Sequence, residues 1–182
     1  MTTTLISILA IGAALLLAVM VIGPAMFGSP WHPISRRDLK RALDFCGAKA
    51  GERIVDLGSG DGRVLIAAAK NYGLMGTGIE IDPLKVWLAN LRVRWAGRQN
   101  KVKIVRANIF NYDYREADIL FIYLTHQAID QLFPKILKQL KPNAKILCYR
   151  FCIQGMTPDK VSADKTLFLY TLNKGTRVNQ FR

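Results

Sequence analysis

From Arg53 onward, short apolar runs alternate with segments whose apolar residues recur at three- and four-residue spacing. Ile54 to Leu57 is a short apolar run stopped by Gly58, the pattern of a strand covered on both faces. The pattern predicts strand Arg53–Leu57, helix Gly62–Tyr72, strand Met75–Ile81, helix Leu84–Ala96 and strand Val102–Arg106. It continues with strand Asp118–Leu124, helix His126–Leu140, strand Ala144–Arg150 and a late strand Thr166–Leu172. Pro83 suits a helix start, and Lys141-Pro142-Asn143 reads as a turn. Upstream, Ser35 is a fair N-cap for a helix Arg36–Phe45, whose Leu39, Ala42, Leu43 and Cys46 form an apolar stripe. Strands alternating with helices imply an α/β fold, a parallel sheet with helices on both faces. No repeat or low-complexity tract interrupts it.

A different pattern precedes Gly28. Leu5 to Phe27 is apolar, broken only by Ser7, Gly12, Gly23 and Pro24. About 20 apolar helical residues span a bilayer core. A secretory signal would have a basic start and a shorter apolar run; neither is present. The expectation is one N-terminal transmembrane helix within residues 1–28, followed by a catalytic domain over residues 29–182. Arg36, Arg37, Lys40 and Arg41 close behind the span place that domain on the cytoplasmic side.

The chemistry concentrates in Asp56-Leu57-Gly58-Ser59-Gly60-Asp61-Gly62-Arg63 and Gly78-Ile79-Glu80-Ile81-Asp82. Glycines at every second position let the backbone turn sharply and approach a ligand, with a helix N-terminus behind them. A dinucleotide site starts the same way, but Arg63 stands where that pattern has its last glycine. Asp56 and Asp61 bracket the turn and would repel a pyrophosphate. They would attract the ammonium and sulfonium of S-adenosylmethionine. Glu80, about 20 residues past the turn, is placed to accept hydrogen bonds from two ribose hydroxyls.

These motifs resemble the seven-strand methyltransferases that use S-adenosylmethionine, and especially a small family of protein-lysine methyltransferases. That family includes the mitochondrial enzymes acting on the ATP synthase c subunit and on the adenine nucleotide translocase, and an archaeal relative. The likeness extends to Pro30-Trp31-His32-Pro33-Ile34-Ser35, Tyr123-Leu124, Cys148-Tyr149-Arg150-Phe151 and Met156-Thr157-Pro158. It implies a Rossmann-like seven-strand sheet and a methyl transfer to protein lysine. Asp56, Gly58, Ser59 and Gly60 would line the methionine part of the cofactor. Asn108 stands where the family often has Asp near the adenine; the alternative is a turn-favouring Asn without a ligand. Tyr123 belongs to the substrate-side motif and would position the acceptor; the alternative is an aromatic plug of the strand end.

Charge narrows the partners. The chain of 182 residues carries a formal +13, and no charged side chain precedes Arg36. Arg92, Arg94, Arg98, Lys101, Lys103 and Arg106 cluster. Trp87 and Trp95 sit at helical spacing and read as packing residues rather than base-stacking ones, so anionic headgroups are favoured over nucleic acid. Three cysteines and two histidines form no metal spacing and suit a reducing compartment. The expected partners are a protein substrate at the same membrane and the membrane itself. The sequence shows no arginine-rich amphipathic presequence, which favours a bacterial inner membrane over a mitochondrial one. The alternatives are a lipid, small-molecule or RNA acceptor, or a non-catalytic tethered module.

Overall fold

The computed structural model describes residues 4, 6–8, 10–12 and 33–172. Helix α1 (Arg36–Phe45) starts where Ser35 accepts the Asp38 N–H. Strand β1 (Arg53–Leu57) leads through the glycine turn to α2 (Arg63–Asn71) and β2 (Met75–Glu80). Asp82 caps α3 (Pro83–Trp95), with Pro83 in its first turn where no N–H is needed. Then come β3 (Val102–Arg106), a 3-10 turn Ile109–Asn111, β4 (Ile119–Ile122) and α4 (His126–Gln139), capped by Thr125. The chain finishes with β5 (Lys145–Tyr149), β6 (Lys160–Val161) and β7 (Leu167–Thr171). Pro134 lies inside α4, which continues without one backbone N–H.

The sheet has seven strands in the order β3-β2-β1-β4-β5-β7-β6. β1 pairs in parallel with both β2 and β4, so the strand order reverses beside β1, where such sheets bind ligands at the strands' carboxyl ends. Alternate residues of β1 point into different cores. Ile54 packs with Leu39 and Leu43 of α1, Leu65 and Ala68 of α2, and Ala89 and Val93 of α3. Val55 and Leu57 pack with Ile129, Leu132, Phe133 and Ile136 of α4. Three helices therefore cover one face and one covers the other.

Three departures from the sequence reading have physical causes. The sheet is mixed, because β7 runs antiparallel to β5 and to β6. Between Arg150 and Thr166 the structure has no crossover helix, and a tight turn around Ser162–Lys165 returns the chain as a hairpin, which makes antiparallel pairs. β6 has two exposed residues, too few to show periodicity. Trp87 and Trp95 are not packing residues: they are 62% and 77% exposed. The hydrophobic periodicity of α3 is satisfied twice over, and only Ala89 and Val93 are fully buried.

The chain divides into compact units Met1–His32 and Pro33–Arg182. In the first, residues 4, 6–8 and 10–12 are helical and exposed. Among the described residues no helix is long and apolar enough to cross a membrane. The span read at Leu5–Phe27 lies mostly outside those residues.

One contact seats the glycine turn on the sheet. A Cβ on Gly78 of β2 would lie 2.6 Å from Ser59 Oγ, 2.7 Å from Ser59 Cβ and 2.8 Å from Leu65 Cδ1. Gly78→Ala should therefore destabilise the protein by about 1–3 kcal/mol through overpacking. Equilibrium urea unfolding checks it, and an unchanged midpoint would contradict the contact.

Candidate active site

The turn after β1 is held by backbone and by one carboxylate. Gly58 N–H and Ser59 N–H both donate to the Ile79 carbonyl, at 2.9 and 3.0 Å, tying the turn to β2. Gly60 N–H donates to Glu80 Oε2 at 2.9 Å, and the N–H groups of Ile81 and Asp82 donate to Oε1 at 3.0 Å each. An ionised carboxylate offers about four acceptor positions, so Glu80 is oriented by three bonds and keeps capacity for a ligand. Gly58 has φ 71°, and a Cβ there would meet only Leu124 Cδ2 at 3.5 Å. That side of the turn is open for close approach.

Three carboxyl groups lie buried in this small volume: Asp56, Asp61 and Glu80. They divide the work. Asp61 is held by the Arg63 guanidinium at 2.6 Å and by Arg92 from α3. Burial disfavours its charge, but the Arg63 hydrogen bonds and the two guanidinium charges outweigh that and hold the carboxyl below its usual range. Asp61 is thus paired with two guanidinium groups and closes the turn, which leaves Asp56 and Glu80 as the carboxyl groups without an ion-pair partner among the described residues. Asp56 has no such partner. Burial first, then the neighbouring Glu80 and Asp61, push its carboxyl up to about 8.

Buried polar atoms test what fits here. Among the described residues, Asp56 Oδ2 and Ser59 Oγ have no hydrogen-bond partner. A buried acceptor without a donor is costly unless a ligand completes it. The donor set suits a ligand with a cation and N–H groups at the turn and hydroxyls near Glu80. S-adenosylmethionine fits that description.

Asn108 follows β3 and is exposed; its side chain accepts the Phe110 N–H at 2.9 Å and caps the 3-10 turn. The turn-forming role is therefore present. Beside it, the Ala107 N–H bonds the Glu80 carbonyl, which brings this turn against the end of β2. Tyr123 follows β4 and is half-buried. Its ring meets Tyr149 edge-on, with centroids 4.8 Å apart. The Arg150 guanidinium lies over both rings, 6.0 Å from Tyr123 and 5.5 Å from Tyr149. Tyr149 donates its hydroxyl to Asp38 Oδ2 at 3.2 Å, an acceptor shared with Ser35 Oγ at 2.8 Å. Arg150 has φ 69°, a left-handed conformation costly for a residue with a Cβ and of the kind found at functional sites. His126 stacks edge-on against Phe151 and begins α4.

Several members of this site were not legible in the sequence. Arg63 meets Asp61 two residues away, within the turn itself, whereas Arg92 meets it only through the packing of α3. Asp38, itself bonded by Ser35, meets Tyr149 across more than a hundred residues. Ile81, 39% exposed directly after Glu80, offers an apolar surface at the strand end and passed for part of the strand.

The chain matches the family described as the ANTKMT methyltransferase domain over residues 56–160, more than half of its length. It is 28% identical over 152 residues to the protein-lysine N-methyltransferase of Saccharolobus islandicus, covering 80% of this chain and 94% of that protein. It is 28% identical to the human lysine N-methyltransferase named for the ATP synthase c subunit, over 74% of this chain and 57% of that protein. Among solved structures, an RNA methyltransferase from Salinibacter ruber in complex with S-adenosyl-L-homocysteine superposes with a TM-score of 0.78 at 30% identity. That match covers 81% of this chain and 97% of that one.

The raised Asp56 carboxyl makes cofactor binding pH-dependent. Near pH 7 it is mostly protonated, whereas a bound cation favours the carboxylate. Binding should release close to one proton near pH 7, and affinity should rise from about pH 6 to above about 8. The ligand-free protein should conversely lose stability as pH rises from about 4 towards 8, because the unfolded chain sheds that proton first. Calorimetry in buffers of different ionisation enthalpy reads the proton release. Asp56→Asn should abolish it; an unaltered release in that variant would assign the proton elsewhere.

Proposed function

The chain belongs to the family of the ANTKMT methyltransferase domain and is an S-adenosylmethionine-dependent methyltransferase; on that premise we propose that it methylates a lysine side chain of a membrane-associated protein, held at that membrane by its own N-terminal segment. The observation that carries the lysine reading is the Tyr123–Tyr149 pair with a guanidinium over both rings. Tyr149 is buried, so it is the half-buried Tyr123 ring that would be offered to another cationic side chain. The pair lies at the carboxyl ends of β4 and β5, beside the strand that carries Asp56. The names of the archaeal and human relatives support the same substrate class.

When bound, the cofactor supplies a methyl group already activated on a positively charged sulfur. The protein's part is to hold, align and desolvate. In this reading Glu80 takes the ribose hydroxyls, and Asp56, Gly58, Ser59 and Gly60 line the methionine portion. The Asn108 turn and Ile81 flank the adenine. Tyr123 positions the acceptor: Tyr149 has its hydroxyl committed to Asp38, whereas that of Tyr123 makes no hydrogen bond to the protein among the described residues. A lysine attacks only as the neutral amine. An apolar site beside Arg150 and a sulfonium disfavours a third positive charge and lowers the acceptor's pKa, so no dedicated base is required.

The N-terminal apolar run and the basic residues behind it support an anchored protein with its catalytic domain on the cytoplasmic side. The membrane in this reading is a bacterial inner membrane. A second reading, an RNA acceptor, draws on the name of the Salinibacter structure and on the basic charge.

Membranes incubated with methyl-labelled S-adenosylmethionine separate these readings. Label should enter a protein band as methyl-lysine and disappear in Glu80→Ala, which loses the ribose bonds and frees three N–H groups. Label confined to lipid or RNA would reject the lysine reading. Tyr123→Phe should lower kcat by roughly 10- to 100-fold while leaving the KM for S-adenosylmethionine unchanged, the mark of lost acceptor alignment. Steady-state kinetics on the identified substrate checks it; an unchanged kcat would make Tyr123 a plug of the strand end.

A further inference from the structure

Helix α3 is apolar on two opposite sides. Its inner side is Ala89 and Val93, fully buried against the sheet, with Val86 packed beside them. Its outer side is Leu84, Leu88 and Leu91, which are half-buried, with Trp87 and Trp95, which are exposed. At about 100° per residue these five fall within roughly 100° of arc, centred opposite Ala89 and Val93. None of the five belongs to either hydrophobic core or packs against one. Trp87 and Trp95 are the two most exposed aromatic side chains among the described residues. A soluble helix has no use for a second apolar stripe with two tryptophans on it.

What surrounds the stripe selects the partner. From Pro83 to Tyr112 the sequence has seven lysines and arginines and no aspartate or glutamate. Lys85 pairs with Asp82 and Arg92 with Asp61. Arg94, Arg98, Lys101, Lys103 and Arg106 form no ion pair among the described residues. Arg94 stands on one flank of the stripe, and Arg98 follows the last turn of the helix. Leucines and tryptophans on one face with basic residues beside them match the two layers of a bilayer surface. The apolar side chains enter the acyl boundary and the cations meet anionic headgroups. A nucleic acid or an acidic protein surface would use the charge but leave most of the apolar stripe, the exposed tryptophans and the partly exposed leucines, without an apolar partner.

We propose that the outer face of α3 seats on the interface of an anionic membrane and is a second, peripheral contact of the catalytic domain with the bilayer. This rests on the membrane location proposed above. It adds a consequence: α3 starts directly after Glu80 and Asp82, so a helix lying on the surface holds the cofactor end of the sheet close to that surface. Acceptor lysines near the headgroups would then be within reach.

The full-length chain tests this in lipid nanodiscs of phosphatidylcholine, with and without phosphatidylglycerol. The chain has three tryptophans. Trp31→Phe leaves Trp87 and Trp95 as the emitters. In anionic discs their emission should shift to shorter wavelength and be quenched by acyl chains brominated near the headgroup. Both effects should be much weaker in neutral discs. Arg94→Glu with Arg98→Glu should abolish them while cofactor binding, which confirms the fold, is retained. A chain that incorporates into discs but keeps unshifted, unquenched emission would overturn the α3 contact and leave the anchor standing. A chain that enters neither kind of disc would remove the membrane reading itself. A shifted emission that bromolipid does not quench means that protein, either this chain's own segment or a second copy, covers the stripe. A shift seen only with added RNA points to nucleic acid. Equal quenching in neutral discs removes the role of charge. Each of these last three outcomes also overturns the proposal.

Discussion

The site depends on one carboxylate that works on backbone rather than on another side chain. Glu80 collects N–H groups from Gly60, Ile81 and Asp82, and so joins the glycine turn after β1 to the start of α3 after β2. Hydrogen bonds to an ionised acceptor are stronger than neutral ones, which suits a residue that is itself buried. The clamp closes only because Gly78 has no side chain in the way of Ser59 and Leu65. Ligand position, helix start and strand register are therefore set together.

That clamp concentrates negative charge, and the surrounding structure resolves it unevenly. Asp61 receives two guanidinium partners, one from the next turn of chain and one from α3. Glu80 is satisfied by dipoles. Asp56 is left with an orphaned oxygen and a carboxyl that holds its proton to about pH 8. The imbalance is what a cationic ligand would correct. Stability in the free state is traded for binding, as functional sites commonly do.

The layers around the sheet are equally uneven. Three helices bury one face and a single helix covers the other, and the stretch between β5 and β7 forms a short hairpin instead of a helix. Of the Tyr123–Tyr149 pair at the strand ends, Tyr149 is buried and Tyr123 is half-buried, so Tyr123 is the ring that a side chain carried by a large partner could meet. At the sheet's other edge, α3 has one face for the sheet and one that the domain does not use.

By itself the sequence determined the order and type of nearly every element, because apolar periodicity, caps and glycines act within a few residues. Ser35, Asp82 and Thr125 each cap the helix that follows them, and the span of β3 was readable to the residue. It also determined the cofactor class, since the turn and Glu80 are short-range motifs. Only the tertiary structure decided the antiparallel course of β7, because strand direction depends on how the chain returns and not on the strand's own residues. It alone showed Asp61 paired with Arg92, Tyr149 bound to Asp38, and Trp87 and Trp95 facing outward. Pairings across thirty or a hundred residues leave no local trace. A helix apolar on two sides looks, in a linear pattern, like one apolar on the inside alone.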